Sequence, residues 1–501
     1  MSTIATLEPA AEPPPDVTDS NEDALRSRTL YRAMWRWHFF AGLFAIPVIV
    51  LLCLSGLVYL FKPQIWGLMY GDLQNVTPSS QTVTYEQQLA AVEQAYPGAE
   101  VSGVHTPASA TRSTIFTITT TDGKDLAVYV NPYNGEVLGH RNPATDIVDI
   151  SRQLHGTLMT GSWLGDDGYY GDRFIELVAG WSIVLLVTGT YLWWPRGKRR
   201  GLRGVLLPRF HLRGKRILWR DVHAVTGVIF AFITLFFLVT GMAWAGVWGP
   251  RYLSVATQAV GGYPQVETNS TTVGELLPNG QSPWALGNLP LAASQPVPAP
   301  GGQVGDELRW DPSQGAPLDA VIASGQQLGI PHGFSVTWPQ DETGSYGINY
   351  WEDGPQEPNR SSTDARIVYI DQYTAQPIAG YGFDQYGWAG KATSFGIALH
   401  EGREWGLINQ ILVTIATVAI LLSVASSMVM WRKRRPKGIG APRKEPNRKI
   451  GFGVLLVIVA LGALFPLLGL SMLVVLLLEL LVIRRVPRLA RMLGTQAVTL
   501  S

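Results

Sequence analysis

Cysteine is nearly absent: Cys53 is the only one in 501 residues. That excludes an intrachain disulfide, a cysteine-rich metal site and a C-x-x-C-H attachment motif. Charge is also scarce, at 15% of residues against roughly 25% in soluble chains, while 47% are apolar. This balance argues against a wholly soluble or disordered protein. No G-x-G-x-x-G string follows a predicted strand, so the chain carries neither a nicotinamide nor a flavin domain of its own. A cleavable signal is missing too. The first apolar run is too long for a signal h-region and follows a Pro- and acid-rich tail, so it reads as a retained span.

What the chain has instead is long uncharged runs: Phe39 to Phe61, Leu177 to Trp194, Ala224 to Pro250, Leu407 to Trp431 and Ile450 to Leu478. A bilayer core needs roughly 20 apolar residues at 1.5 Å each. Four runs read as single spans. The fifth continues to Ile483 with Arg448 and Lys449 at one end and Arg484 and Arg485 at the other, which fits a helical hairpin, with Gly462 or Pro466 at its turn. Of 39 Lys and Arg, 27 fall in 1–36, 196–220, 432–449 and 484–501, which makes those segments cytoplasmic by the positive-inside rule. Topology and anionic lipid account for these basic blocks, so no nucleic acid is expected.

The expected fold class is an α-helical integral membrane bundle with two α+β extracytoplasmic domains. The layout is a disordered cytoplasmic tail over 1–30, spans over 35–61, 173–195 and 220–249, and outer domains over 62–146 and 250–390. His-bearing segments cover 147–172 and 391–431, the latter including the fourth span. Basic cytoplasmic loops cover 196–219 and 432–449, a hairpin 450–483 and a cytoplasmic tail 484–501. In the first outer domain, a helical pattern over TYEQQLAAVEQAYPGA precedes alternating strands with turns at Asp122-Gly123 and Asn134-Gly135. In the second, a Pro/Gly/Ala-rich stretch over 278–305 reads as a loop.

The two halves repeat. WRWHFFAG at 35–42 matches WRDVHAVTG at 219–227, and each His is followed by Gly at +4 and by Ser-Gly or Thr-Gly ending at +18. VYVNPYNGEVLG at 128–139 matches VYIDQYTAQPIAG at 368–380, and QLHG at 153–156 matches ALHEG at 398–402. Four strings recurring in one order argue for duplication. Eighteen residues make five helical turns, so His38, Gly42 and Gly56 share a face, as do His223, Gly227 and Gly241, with the far glycine about 27 Å along the axis.

Histidines at membrane spans are costly and are functional candidates, and a neutral imidazole in a helix bundle can ligate haem iron axially. His38 and His223 form an inner pair, and His155 and His400 an outer one. Two b-type haems stacked across the bilayer is the assignment expected, with Gly42, Gly56, Gly227 and Gly241 making room for the flat macrocycles or for close helix packing. Tryptophans 35, 37, 193, 194, 405 and 431 read as an aromatic belt, Glu479 as snorkelling toward nearby arginines, and Cys53 as a small apolar residue. His105, His140, His211 and His332 read as surface residues.

In its motifs the chain resembles the PepSY-associated transmembrane proteins, including bacterial iron-regulated membrane proteins and ferric-siderophore reductases. The resemblance rests on WRWHFFAG with its downstream LSG, on VYVNPYNGEVLG, on LHG before the second span and on the GTYLWWPR exit. It continues through WRDVHAVTG with VTG and ALHEG before the fourth span. It implies PepSY-like outer domains, a di-haem core in the bacterial cytoplasmic (inner) membrane and reduction of siderophore-bound or otherwise chelated ferric iron. It carries the haem-ligand role to His38, His155, His223 and His400. The second PepSY-like unit departs from the pattern, with Gln372, Ala375 and Pro377 replacing the Pro, Gly and hydrophobic residue of the first hairpin.

On this reading a separate cytoplasmic reductase or a membrane quinol donates electrons, and the protein is a haem-dependent oxidoreductase of ferric chelates embedded in a lipid bilayer. No residue is assigned a catalytic role beyond cofactor ligation. Two other classes stay open: a metal-ion permease using the same histidines, and a membrane-anchored module binding a peptidase or envelope partner.

Overall fold

The computed structural model describes residues 17–195, 204–210, 215–260, 268–272, 290–294, 315–350, 360–434, 439 and 452–493. The first helix, α1 (Val17–Leu60), begins inside the stretch expected to be disordered up to residue 30, so the helix is longer than its apolar part requires. Short helices α2 (Lys62–Met69) and α3 (Gly71–Gln74) lead to α4 (Tyr85–Ala95), started by a capping box between Thr84 and Gln87. Strands β1 (Glu100–His105), β2 (Thr114–Thr119), β3 (Asp125–Val130) and β4 (Val137–Arg141) follow. Then come α5 (Ile147–Thr157), α6 (Thr160–Leu164) and α7 (Tyr169–Trp193).

The second half starts with α8 (Lys215–Ile229) and α9 (Ala231–Met242), then α10 (Trp248–Val260). The third span was expected to be one straight helix, but these two segments meet at a 55° bend. The break falls at Phe230, and in the turn before it the Thr226 hydroxyl bonds back to the Val222 carbonyl. After β5 (Thr268–Thr272) and β6 (Pro290–Ala292) come α11 (Leu318–Gln327), β7 (Ser335–Thr337), β8 (Ser345–Tyr350), β9 (Arg366–Asp371) and β10 (Pro377–Gly382). Strand β6 pairs with β5 inside the stretch read as a loop, the rest of which lies outside the described residues. Next are α12 (Trp388–His400), α13 (Leu407–Arg434), α14 (Phe452–Leu464) and α15 (Pro466–Leu478).

Among the described residues, four helices are long and apolar enough to cross a membrane: Thr29–Leu60, Tyr169–Trp193, Leu407–Arg434 and Pro466–Ile483, or five spans if the bent α8–α9 pair is one. The hairpin turns at Phe465, with Pro466 opening its second arm, and its arms approach at Gly462 and Gly469. The Arg36 guanidinium donates to the Leu493 carbonyl at 2.8 Å, which places the α1 entry and the chain's last described turn on one side. On that side Asp221, 1% exposed, is held by Arg209 and Arg220.

The two outer domains are one structure. Their strands join in a single eight-stranded antiparallel sheet of order β10-β9-β8-β7-β1-β2-β3-β4. The junction is the β1–β7 pair, where Val104 meets Val336 and His105 meets Ser335. Two separate domains would each leave a strand edge open, and merging them removes both edges. One face of the sheet packs Phe116, Val128, Ile348 and Ile370 against Val92 of α4 and Val321 and Ile322 of α11 in one core. The opposite face sits on the bundle: Tyr369 and Tyr381 pack with Ala256 of α10 and Ile397 of α12. The departures of the second hairpin have structural reasons. Ala375 adopts the left-handed conformation (φ +55°) that Gly135 takes (φ +75°) in the first. Buried Gln372, in place of proline, donates to the Asp341, Glu342 and Gly344 carbonyls.

Candidate functional site

The bundle brings the four histidines together as two pairs. His38 on α1 faces His223 on α8, with ring centroids 6.1 Å apart and planes at 69°. His155 on α5 faces His400 at the end of α12, at 6.3 Å and 83°. The second pair lies toward the sheet, because both helices follow directly from it. Asp146 caps α5, bonding the Val148 and Asp149 amides and accepting from Trp66 Nε1. Arg141, ending β4, bonds Asp149 on the same helix. The first pair lies toward the basic loops. Along α1, His38 and Gly56, which touches the second pair, are about 27 Å apart.

Each ring is tied through Nδ1 to a different helix. His38 Nδ1 meets the Leu185 carbonyl at 3.2 Å and the Thr188 hydroxyl at 3.1 Å, both on α7. His223 Nδ1 meets the Ser423 carbonyl at 3.0 Å and hydroxyl at 3.2 Å on α13. His155 Nδ1 meets the Leu52 carbonyl at 3.0 Å and the Ser55 hydroxyl at 3.3 Å on α1. His400 Nδ1 meets the Thr240 hydroxyl at 2.8 Å on α9. A carbonyl only accepts, so Nδ1 of His38, His223 and His155 donates its hydrogen. The Thr240 hydroxyl spends its own hydrogen on the Phe236 carbonyl at 2.8 Å, so it too accepts from its histidine. All four rings therefore carry hydrogen on Nδ1, and Nε2 keeps a free lone pair.

Small residues make this contact possible. A Cβ at Gly56 would stand 3.0 Å from His155 Cε1, one at Gly189 3.0 Å from His38 Cε1, and one at Gly241 3.5 Å from His400 Cε1. Gly42 and Gly227, read as making room for the macrocycles or for close helix packing, meet Leu185 Cδ2 at 3.7 Å and Ser423 Oγ at 3.8 Å. They serve helix crossings, α1 against α7 and α8 against α13. Gly189 was not singled out, although its Thr-Gly dipeptide repeats the Ser55-Gly56 and Thr240-Gly241 signal. In all three, the hydroxyl accepts from a ring and the glycine lets that ring approach.

Comparison with protein families matches residues 35–434 to the PepSY-associated TM region. The chain belongs to this family. No curated protein matches it. This PepSY-associated TM chain thus combines several membrane-length helices with an antiparallel sheet, and the matched region includes all four histidines.

Among the described residues of this PepSY-associated chain, no group of three or more His, Cys, Asp or Glu converges as a metal site. His105 on β1 is largely enclosed rather than solvated, and burial, with the Arg360 charge second, pushes it down to about 4. His140 shares a hydrogen bond with the Tyr96 hydroxyl at 2.9 Å, and His332 is exposed. His211 lies outside the described residues. Glu479 bonds Arg484 at 3.3 Å, as its snorkelling reading expects.

Proposed function

We propose that each histidine pair ligates one b-type haem, and that the protein conducts electrons across the bacterial cytoplasmic membrane to a ferric chelate, such as a ferric siderophore. The observation that carries this reading is the pair spacing. An imidazole centroid lies about 1 Å from its nitrogen and a metal–nitrogen bond is about 2 Å, so two rings on opposite sides of one metal stand about 6 Å apart. The pairs stand at 6.1 and 6.3 Å. Two imidazoles are too few for zinc, which takes three or four protein ligands. A haem would bring most of its iron's ligands itself and would ask this chain only for the two imidazoles of one pair.

On this reading His38 and His223 hold one group and His155 and His400 the other. The Nδ1 acceptors orient the rings and raise their basicity, as partners of metal-bound histidine do. Gly56, Gly189 and Gly241 keep the rings at their helices. Haem, when bound, supplies one-electron redox chemistry at two depths of the bilayer. The sheet faces the extracytoplasmic side and the basic loops the cytoplasm, by the positive-inside rule. Each ferric ion takes one electron and becomes ferrous, a softer ion that oxygen chelators hold less well. A separate reductase or a membrane quinol supplies the electrons.

The test is spectroscopic. Protein purified from haem-supplied cells should show a Soret band and, on reduction, α bands that vanish when a ferric chelate is added, with ferrous iron appearing in step. A colourless protein contradicts the haem reading and favours a permease or an anchored module. A coloured protein inert toward ferric chelates contradicts the substrate.

A further inference from the structure

Beside the sheet-side pair the chain buries charge. Lys62 opens α2 just after the first span and is 7% exposed, whereas a lysine at a span end ordinarily reaches for water. This one turns inward. Trp66, one turn on and on the same face of α2, donates to Asp146 at the start of α5 and lies 4.6 Å from the Arg141 guanidinium. That face of α2 is thus set toward the helix that carries His155. Lys62 Nζ donates to the Tyr59 hydroxyl at 3.2 Å. The other helix of the pair is tied to the same corner: the Gln410 amide donates to the Leu60 carbonyl at 2.7 Å and accepts from Gln64 at 3.1 Å. In the turn after His400, Glu401 is paired with Arg403 at 2.6 Å and feels the charges of Lys62 and His400.

Two buried cations, Lys62 and Arg403, therefore stand about one carboxylate. The charges around them balance among themselves. Glu404 accepts from Ser361 and Ser362 while Arg360 holds the Gly333 carbonyl and lies over Tyr350, and Asp146 and Asp149 stand with Arg141 and Arg152. The duplication shows that helix packing alone does not ask for the extra cations. By the 185-residue offset between His38 and His223, Lys62 corresponds to Val247. After His155 the turn reads Gly156, Thr157 and Leu158, where after His400 it reads Glu401, Gly402 and Arg403.

We infer that Lys62 and Arg403 seat the propionate carboxylates of the haem held by His155 and His400. The inference rests on the haem reading. A b-type haem is an apolar plate with two anionic propionates at one edge, so its seat needs cations at one margin of the ligand pair. A buried excess of positive charge is unfavourable until an anion joins it, and the bonds it then makes are of the strong, charge-assisted kind. Arg403 is fixed for this by Glu401 and by its bond to the Arg360 carbonyl at 2.9 Å. Lys62, on a flexible stem, adjusts to the second carboxylate. Burial of both cations favours a resident group over a chelate arriving from water.

Haem release tests the seat. In His38→Ala, which keeps only the sheet-side site, ferric haem captured by excess apomyoglobin should leave about tenfold faster once Lys62→Met is added, the loss of one charged hydrogen bond. Lys62→Arg should stay near the parent rate, and Arg403→Gln should behave as Lys62→Met. Haem dimethyl ester, whose propionates carry no charge, is the control: it should leave the His38→Ala chain about as fast as haem leaves the Lys62→Met form, with no further acceleration by Lys62→Met. In His155→Ala, which keeps only the basic-side site, Lys62→Met should change nothing. Unchanged haem release in Lys62→Met overturns the inference, and so does equal acceleration of haem and ester, which marks a purely structural lysine. A chain without any Soret band overturns the haem reading itself.

Discussion

The Cε1 atom of His155 lies 3.0 Å from the position a Cβ would take at Gly56, and its Nδ1 lies 3.2 Å from it. At Gly42, about four turns away on the same face of the helix, the nearest atom is Leu185 Cδ2 at 3.7 Å, an ordinary van der Waals distance. The two glycines of one motif therefore do different work. Gly56→Val should push His155 off its partner and lower haem from about two to about one per chain. Gly42→Ala should leave the content unchanged. Haem-to-protein ratios of the two purified variants check this, and equal ratios contradict it.

Gly189 extends the same logic to the other pair. A Cβ there would stand 3.0 Å from His38 Cε1, and the neighbouring Thr188 hydroxyl is one of that ring's acceptors. Gly189→Val should remove the basic-side haem and spare the sheet-side one. The reduced spectrum of this variant should match that of His38→Ala, and a spectrum matching His155→Ala would contradict the assignment.

Much of this was legible in the sequence, because duplication turns two weak signals into one strong one. The His-to-Gly spacing, the LHG and ALHEG strings and the apolar runs place all four histidines at span ends and pair them by depth. The partners of their Nδ1 atoms were not legible. Leu185, Ser423 and Leu52 contribute backbone carbonyls, which leave no mark on residue type. Gly189 escaped because it sits outside the strings that recur between the halves, although it opens the GTYLWWPR exit near the end of the second span. The merged sheet was also hidden: the β1–β7 junction joins residues more than 200 positions apart, and each half alone has the pattern of a complete α+β unit. The bend between α8 and α9 carries no proline to announce it.

A pH prediction concerns the sheet alone. His105 is held down to about 4 by burial, with Arg360 adding to it, whereas in the unfolded chain it titrates near 6.5, its ordinary value. Below that value the unfolded chain gains a proton that the folded one refuses. The neutral form's contribution to stability is complete above about pH 6.5 and is lost progressively as pH falls toward about 4. Thermal unfolding between those limits should show a falling midpoint in the wild type. His105→Gln should flatten that slope, and an unchanged slope contradicts the assignment.

The most direct measurement is a pyridine haemochrome count on the intact protein and its four single variants, His38→Ala, His223→Ala, His155→Ala and His400→Ala. Two iron-binding pairs predict about two haems per chain in the parent and about one in every variant. The first two variants should share one residual spectrum and the last two another. An unchanged count in all four, or residual spectra that group His38 with His155, would contradict the pairing on which the functional reading depends.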